Sequence, residues 1–192
     1  MVEAMQLEAV THMRSLIWLS VAGLILAVMA TAGMAQEQSA NRVAANTDWS
    51  VFVETDPTSC WAVSSPKKTV NTRDGRVVSV RRGDILLFVS YIPGQGAKGQ
   101  VSFTGGYPFA PGSQVSLAIG NQTFQLFTDA GTNAEMAWAP SEADDARIVT
   151  AMKRGSEAVL TARSARGTRT EDTFSLLGFT AAVEEAAKRC RK

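Results

Sequence analysis

The strongest constraint on this 192-residue chain is a succession of short β-forming runs punctuated by turn residues, from Trp49 almost to the end. Trp49 to Glu54, Cys60 to Ser64, Arg76 to Val80, Ile85 to Tyr91, Gln100 to Thr104, Val115 to Ile119 and Thr123 to Phe127 are rich in Val, Ile, Phe and Thr, and Gly, Pro, Asn or Asp separate them. Asp74-Gly75, Gly120-Asn121 and Arg166-Gly167 are tight-hairpin signals, the last joining strand patterns over Glu157 to Ala165 and Thr168 to Leu176. Two helical patterns interrupt the series. Ser141-Glu142-Ala143-Asp144 has the form of a capping box and opens a stretch that stops at Lys153-Arg154-Gly155. Thr180 to Arg189 carries Glu184-Glu185 ahead of Lys188-Arg189, the order that suits a helix dipole. The pattern predicts a mainly β domain over residues 48–192, an antiparallel sandwich or flattened barrel of eight or nine strands with two packed helices.

The N-terminus reads as an export signal. Arg14 precedes an apolar run from Leu16 to Val28, which ends in the small residues Ala30-Thr31-Ala32-Gly33-Met34-Ala35. This order of charged, apolar and small-residue segments predicts a signal peptide over residues 1–35, cleaved after Ala32 or Ala35, with an uncleaved anchor as the alternative. Met13 stands where such a segment would ordinarily start. Residues 36–47 are polar and small, a linker before the fold.

Export narrows the chemistry. His12 is the single histidine, so the chain left after cleavage has none. Ser-His-Asp and Cys-His nucleophile activation and histidine-containing zinc sites are then excluded, and neither a catalytic motif nor a metal or cofactor site is expected. Cys60 and Cys190 are the two cysteines; in an oxidising compartment a disulfide is the expectation, with a free thiol as the alternative. The whole chain holds 19 basic and 18 acidic residues, and removing residues 1–35 leaves 18 and 16. That balance gives no general attraction to nucleic acid, so electrostatic recognition must be local.

Several short motifs compete for attention. Gly94-Gln95-Gly96-Ala97-Lys98-Gly99 has the spacing of a dinucleotide loop, but the strand-like Val101-Ser102-Phe103-Thr104 follows it where a helix is required, so a β-turn is expected. Arg82-Gly83-Asp84 spells an integrin-binding tripeptide and reads equally as a turn before Ile85. The segment Thr104 to Gly112 is dense in Gly, Pro and aromatics; Tyr107 and Phe109 could line a partner site or fold back over the core. Lys67, Lys68, Arg73, Arg76, Arg81 and Arg82, with Arg163, Arg166 and Arg169, could hold an anionic envelope component if their turns share one end of the sheet. Solvated hairpin charges are the alternative. The candidate partner-binding set is Tyr107, Phe109, Arg81, Arg82, Lys67 and Lys68.

Longer blocks carry a resemblance. Trp49 to Pro57, Cys60-Trp61 with Ser65-Pro66-Lys67-Lys68, Arg82 to Leu86, VSFTGGYPFAPGS from Val101, and DTFSLLGFTAA within Thr161 to Ala182, together with Cys190, resemble the invasion-associated locus B family of exported alphaproteobacterial proteins. The resemblance covers essentially the whole chain after the signal. It implies export and an association with host-cell invasion in pathogens, and it brings neither a reaction nor catalytic residues. Together with the residue-level reading it points to a non-catalytic periplasmic or envelope-associated binding or adaptor protein, its partner an unidentified envelope protein or anionic envelope component. The alternatives are a surface-exposed invasion or adhesion factor and a carboxylate-based hydrolase.

Overall fold

The computed structural model describes residues 41–129, 131 and 133–191. The expected signal segment, with His12, Met13 and both cleavage points, lies outside the described residues.

Twelve strands are present among the described residues. They are β1 (Arg42–Asn46), β2 (Trp49–Thr55), β3 (Thr58–Ser64), β4 (Lys68–Arg73), β5 (Arg76–Val77), β6 (Leu86–Ile92), β7 (Ala97–Thr104), β8 (Gln114–Ile119), β9 (Gln122–Thr128), β10 (Met136–Trp138), β11 (Glu157–Arg163) and β12 (Arg169–Ser175). Two helices, α1 (Glu142–Arg154) and α2 (Phe179–Arg189), flank β11 and β12 in the chain. All strand pairs are antiparallel, in the order β1-β2-β3-β6-β7-β10-β9-β8-β11-β12-β4-β5.

This is one sheet that coils back on itself without closing into a barrel. Phe103 on β7 and Phe174 on β12 lie five strands apart in the order, about 24 Å along a flat sheet. Their ring centroids are nevertheless 6.2 Å apart, edge to face. The two halves therefore face each other as the layers of a sandwich do, and Leu87, Val89, Val101, Phe103, Leu117, Leu126, Leu160 and Phe174 form the buried layer between them.

The turn signals act as local chemistry requires. Asp74 and Gly75 take φ of 52° and 74° between β4 and β5, and Gly120 takes 57° between β8 and β9. Gly167 does the same at 83° between β11 and β12. The glycine-rich loop is a hairpin: Pro93–Gln95 forms one 3-10 turn, Gly96 is left-handed, and β7 follows directly. A helix N-terminus, needed for a dinucleotide phosphate, is missing there.

Three strands were not anticipated. β1 occupies residues expected as linker; its backbone pairs with β2, with a bulge between Arg42 and Ala44. β4 is polar throughout and is held by its ladder to β12. β10 has three residues and bridges β7 and β9. β5 is only two residues long, where five were expected, and Val77 is largely exposed.

Both helices cover the inner side of the sheet. In α1 the Asp144 N–H donates to the Ser141 hydroxyl, the capping contact the sequence predicted. Ile148, Ala151 and Met152 are buried on its sheet-facing side, α1 packing on β7. In α2 the buried residues Phe179, Ala182, Val183, Ala186 and Ala187 repeat at the spacing of one helical face, laid on β2 and β3. Trp49 meets Phe179 edge to face at 4.9 Å, and its indole N–H donates to the Ser175 carbonyl. A Cys60–Cys190 disulfide fastens the end of α2 to β3. Gly178, which precedes α2, is left-handed at φ 87°, and a Cβ there would stand 1.9 Å from the Asn46 carbonyl oxygen. Only glycine fits that approach.

Candidate functional site

Alternation along β12 buries Thr170, Asp172 and Phe174 on one face, and so places a carboxylate in the core. A carboxylate there requires a cation, and Arg82 supplies it from the segment between β5 and β6. Its Nη1 and Nη2 donate to the two Asp172 oxygens at 2.7 and 2.6 Å, and both side chains are buried. Nε donates to the Gly105 carbonyl at 2.9 Å, and Nη1 also reaches Asn71 Oδ1 at 3.3 Å. Burial pushes the Asp172 carboxyl above its ordinary value, and the bonds and charge of Arg82 oppose that shift.

The same guanidinium lies 5.0 Å from the centroid of the Tyr107 ring, within cation–π range. The Tyr107 and Thr170 hydroxyls are 2.5 Å apart. Burial raises the Tyr107 phenol, while the Thr170 bond and the Arg82 charge act the other way. Gly106 brings the loop against the Arg82 segment: the Gly83 N–H donates to the Gly106 carbonyl at 2.9 Å, and a Cβ on Gly106, which has φ 70°, would be 2.5 Å from the Gly83 oxygen.

Above this buried pair opens a cleft of about 510 Å³ lined by Arg73, Arg81, Arg82, Tyr107, Glu135 and Arg166, with hydroxyls from Ser164, Thr168 and Thr170. Three turns converge on it: the β4–β5 hairpin, the segment carrying Arg81 and Arg82, and the β11–β12 hairpin. Arg73 Nη2 donates to Thr168 Oγ1 at 2.7 Å. Among the described residues Arg73, Arg81 and Arg166 form no ion pair, while Asp172 occupies Arg82. Three unpaired guanidinium groups against one carboxylate, Glu135, leave the cleft positive. Hydrogen-bond donors of this kind suit phosphate or carboxylate oxygens.

The sequence-derived set divides. Arg81, Arg82 and Tyr107 come together in the cleft, with Arg82 serving as its buried anchor. Because that guanidinium is enclosed, the Arg82-Gly83-Asp84 tripeptide presents no free arginine. Phe109 is corrected to core: it is buried, stands 5.3 Å from the Tyr107 ring and 6.1 Å from Phe103, and its backbone N–H donates to Ala134. Folding back over the core is therefore the outcome for that ring. Lys67 and Lys68 lie elsewhere. Lys68 begins β4, directly after Lys67, and Arg73 ends it, a separation of about 17 Å between Lys68 and Arg73 along an extended strand. Lys67 also pairs with Asp48, whose carboxyl it holds below the usual range. Arg73 and Arg166 enter the site through turns. Asp172 and Glu135 went unmarked, although the alternation Thr170, Asp172, Phe174 was a signal for a buried carboxylate in need of a partner.

A coiled antiparallel sheet with a disulfide-tethered terminal helix defines the class: a stapled β-sheet protein suited to an oxidising compartment. The family profile described as Invasion associated locus B (IalB) protein matches residues 49–187, and the chain belongs to that family. Among solved structures it is similar to the crystal structure of invasion associated protein b from Bartonella henselae, with 16% identity, a TM-score of 0.50, and coverage of 78% of this chain and 98% of that one. At that identity the likeness is one of fold. No curated protein matches the chain.

Proposed function

We propose that this is a non-catalytic binding or adaptor protein of the periplasm or cell envelope, and that the arginine cleft takes an anionic group of an envelope component. The observation that carries this reading is the convergence of Arg73, Arg81 and Arg166, without acidic partners among the described residues, around the wall formed by Tyr107 and the Arg82–Asp172 pair. Charges that close repel one another, and an anion bridging them relieves that repulsion while its oxygens accept their N–H groups. The family supports an exported setting, and the disulfide agrees with it.

Calorimetric titration of the purified protein with inorganic phosphate tests the reading. Wild type binds, the affinity falls with added salt, and an Arg81→Ala, Arg166→Ala double variant binds at least tenfold more weakly. Equal affinity in the variant, or no phosphate binding by wild type, overturns it. Neither arginine touches the buried pair's hydrogen bonds, so the variant retains the fold.

A further inference from the structure

The outer face of the β2–β9 half of the sheet carries a second feature. Phe52 on β2 and Trp61 on β3 are directly paired in register and stack at 6.1 Å with an interplanar angle of 11°. On the far side Trp138 on β10 and Phe127 on β9 are paired and lie 5.7 Å apart. α2 does not cover Phe52 and Trp61, since it packs on the opposite face of β2 and β3, whereas Phe127 and Trp138 share a separate hollow with Glu142 and Asp145 of α1. Beside Trp61, Phe88 and Met136 continue the wall, and the small residues Ser90, Ser102 and Thr104 leave a trough of about 620 Å³. β3 and β10 are three strand steps apart in the order, about 14 Å. The trough thus offers the rings of Trp61 and Phe88 and hydroxyls along its floor, with Asn133 and Glu135 at one end.

Glu135 lines both this trough and the arginine cleft. The two sites are contiguous over the Thr104–Tyr107 turn, since Thr104 belongs to the trough and Gly106 and Tyr107 to the cleft. From this continuity we infer that one acidic oligosaccharide spans both, its phosphate or carboxylate substituent among Arg73, Arg81 and Arg166 and its sugar rings on Trp61 and Phe88. The inference rests on the anion-binding reading of the cleft and adds the class of molecule that carries the anion.

Three properties select a glycan. The apolar C–H faces of pyranose rings match open, flat aromatic surfaces. Ring hydroxyls both donate and accept, as do Ser90, Ser102 and Thr104, while Asn133 offers an amide and Glu135 an acceptor. The trough itself holds a carboxylate and no cation, so the ligand's charge belongs at the cleft end. An apolar peptide would leave the floor hydroxyls without partners.

The test uses the purified protein, wild type and two variants: Trp61→Ala, which alters only the trough wall, and Arg81→Ala with Arg166→Ala. Each is titrated with inorganic phosphate, oligogalacturonate, a phosphorylated mannose oligosaccharide and neutral dextran, after circular dichroism melts show an intact fold. At least one acidic oligosaccharide is expected to bind at least tenfold more tightly than both phosphate and dextran, and which one binds distinguishes carboxylate from phosphate. Trp61→Ala lowers that affinity at least fivefold and leaves phosphate binding unchanged; the arginine variant weakens both. If phosphate binds normally but neither acidic oligosaccharide gains over it, or Trp61→Ala has no effect, the glycan inference fails and the anion site stands. If neither phosphate nor any oligosaccharide binds, both fail.

Discussion

Replacing Arg82 with Met removes the cation from a carboxylate that is fully enclosed. In the wild-type protein the guanidinium makes two short bonds to Asp172 and one to the Gly105 carbonyl. Leaving one member of such a pair alone costs about 3 to 5 kcal/mol, and the orphaned Gly105 oxygen adds about 1 kcal/mol. For a urea slope near 2 kcal/mol/M, a loss of about 4 kcal/mol moves the unfolding midpoint down by about 2 M. The informative comparison is a double-mutant cycle with Asp172→Leu. Removing both charges restores much of the loss, so the cycle should show a coupling of about 2 kcal/mol or more. The deficit of Arg82→Met should also narrow in acid. Burial already raises the Asp172 carboxyl, and without Arg82 it rises further; the folded state then binds its proton at higher pH than the unfolded chain. Stability is therefore retained below the unfolded value and lost as pH rises through the folded one. Additivity of the two substitutions within about 0.5 kcal/mol, or a deficit independent of pH, would refute the pairing as the source of stability.

Two further outcomes can be checked by denaturation. The disulfide closes a loop with a sequence separation of 130, worth up to about 5 kcal/mol in the chain-entropy treatment; a reductant, or Cys60→Ser with Cys190→Ser, should lower the unfolding midpoint substantially, and an unchanged midpoint rejects the tether's contribution. Asp145 is buried and accepts the Val101 N–H at 2.7 Å; burial raises its carboxyl, with the Val101 bond opposing, so its ionisation works against folding as pH rises through the raised value. Asp145→Asn keeps the acceptor and should be more stable, relative to wild type, at pH 7 than at pH 3; melting curves showing the reverse order refute the assignment.

What the sequence disclosed follows the range of the forces involved. The hairpins at Asp74-Gly75, Gly120-Asn121 and Arg166-Gly167 were legible because left-handed backbone is a demand met by one or two adjacent residues. The capping at Ser141 and the buried face of α2 were legible for the same reason. β4 was not, since Lys-Thr-Val-Asn-Thr-Arg has little apolar alternation and becomes a strand through its ladder to β12, about a hundred residues away. β10 is likewise made by β7 and β9. At the cleft, clustered arginines were visible along the chain, but their gathering around Tyr107 depends on three turns meeting. Phe109 went inward because its loop is pinned to Ala134 and Arg163 through backbone bonds that no local pattern encodes. The aromatic face had a sequence signal that went unread. Trp49-Ser-Val-Phe52 and Cys60-Trp61-Ala62 set large apolar groups on both faces of a strand, more than a one-sided core uses.

An open sheet has two margins at which a further chain could add itself, and in this molecule both are poor templates. At one margin the bulge beside Arg42 interrupts the regular spacing of free amides and carbonyls, and Arg42 itself is exposed. At the other, β5 offers two residues, one of them Arg76. Neither presents enough straight, uncharged backbone to recruit a foreign strand. Among the described residues the twelve-stranded sheet is thus left unclosed with little edge on which a foreign strand could align.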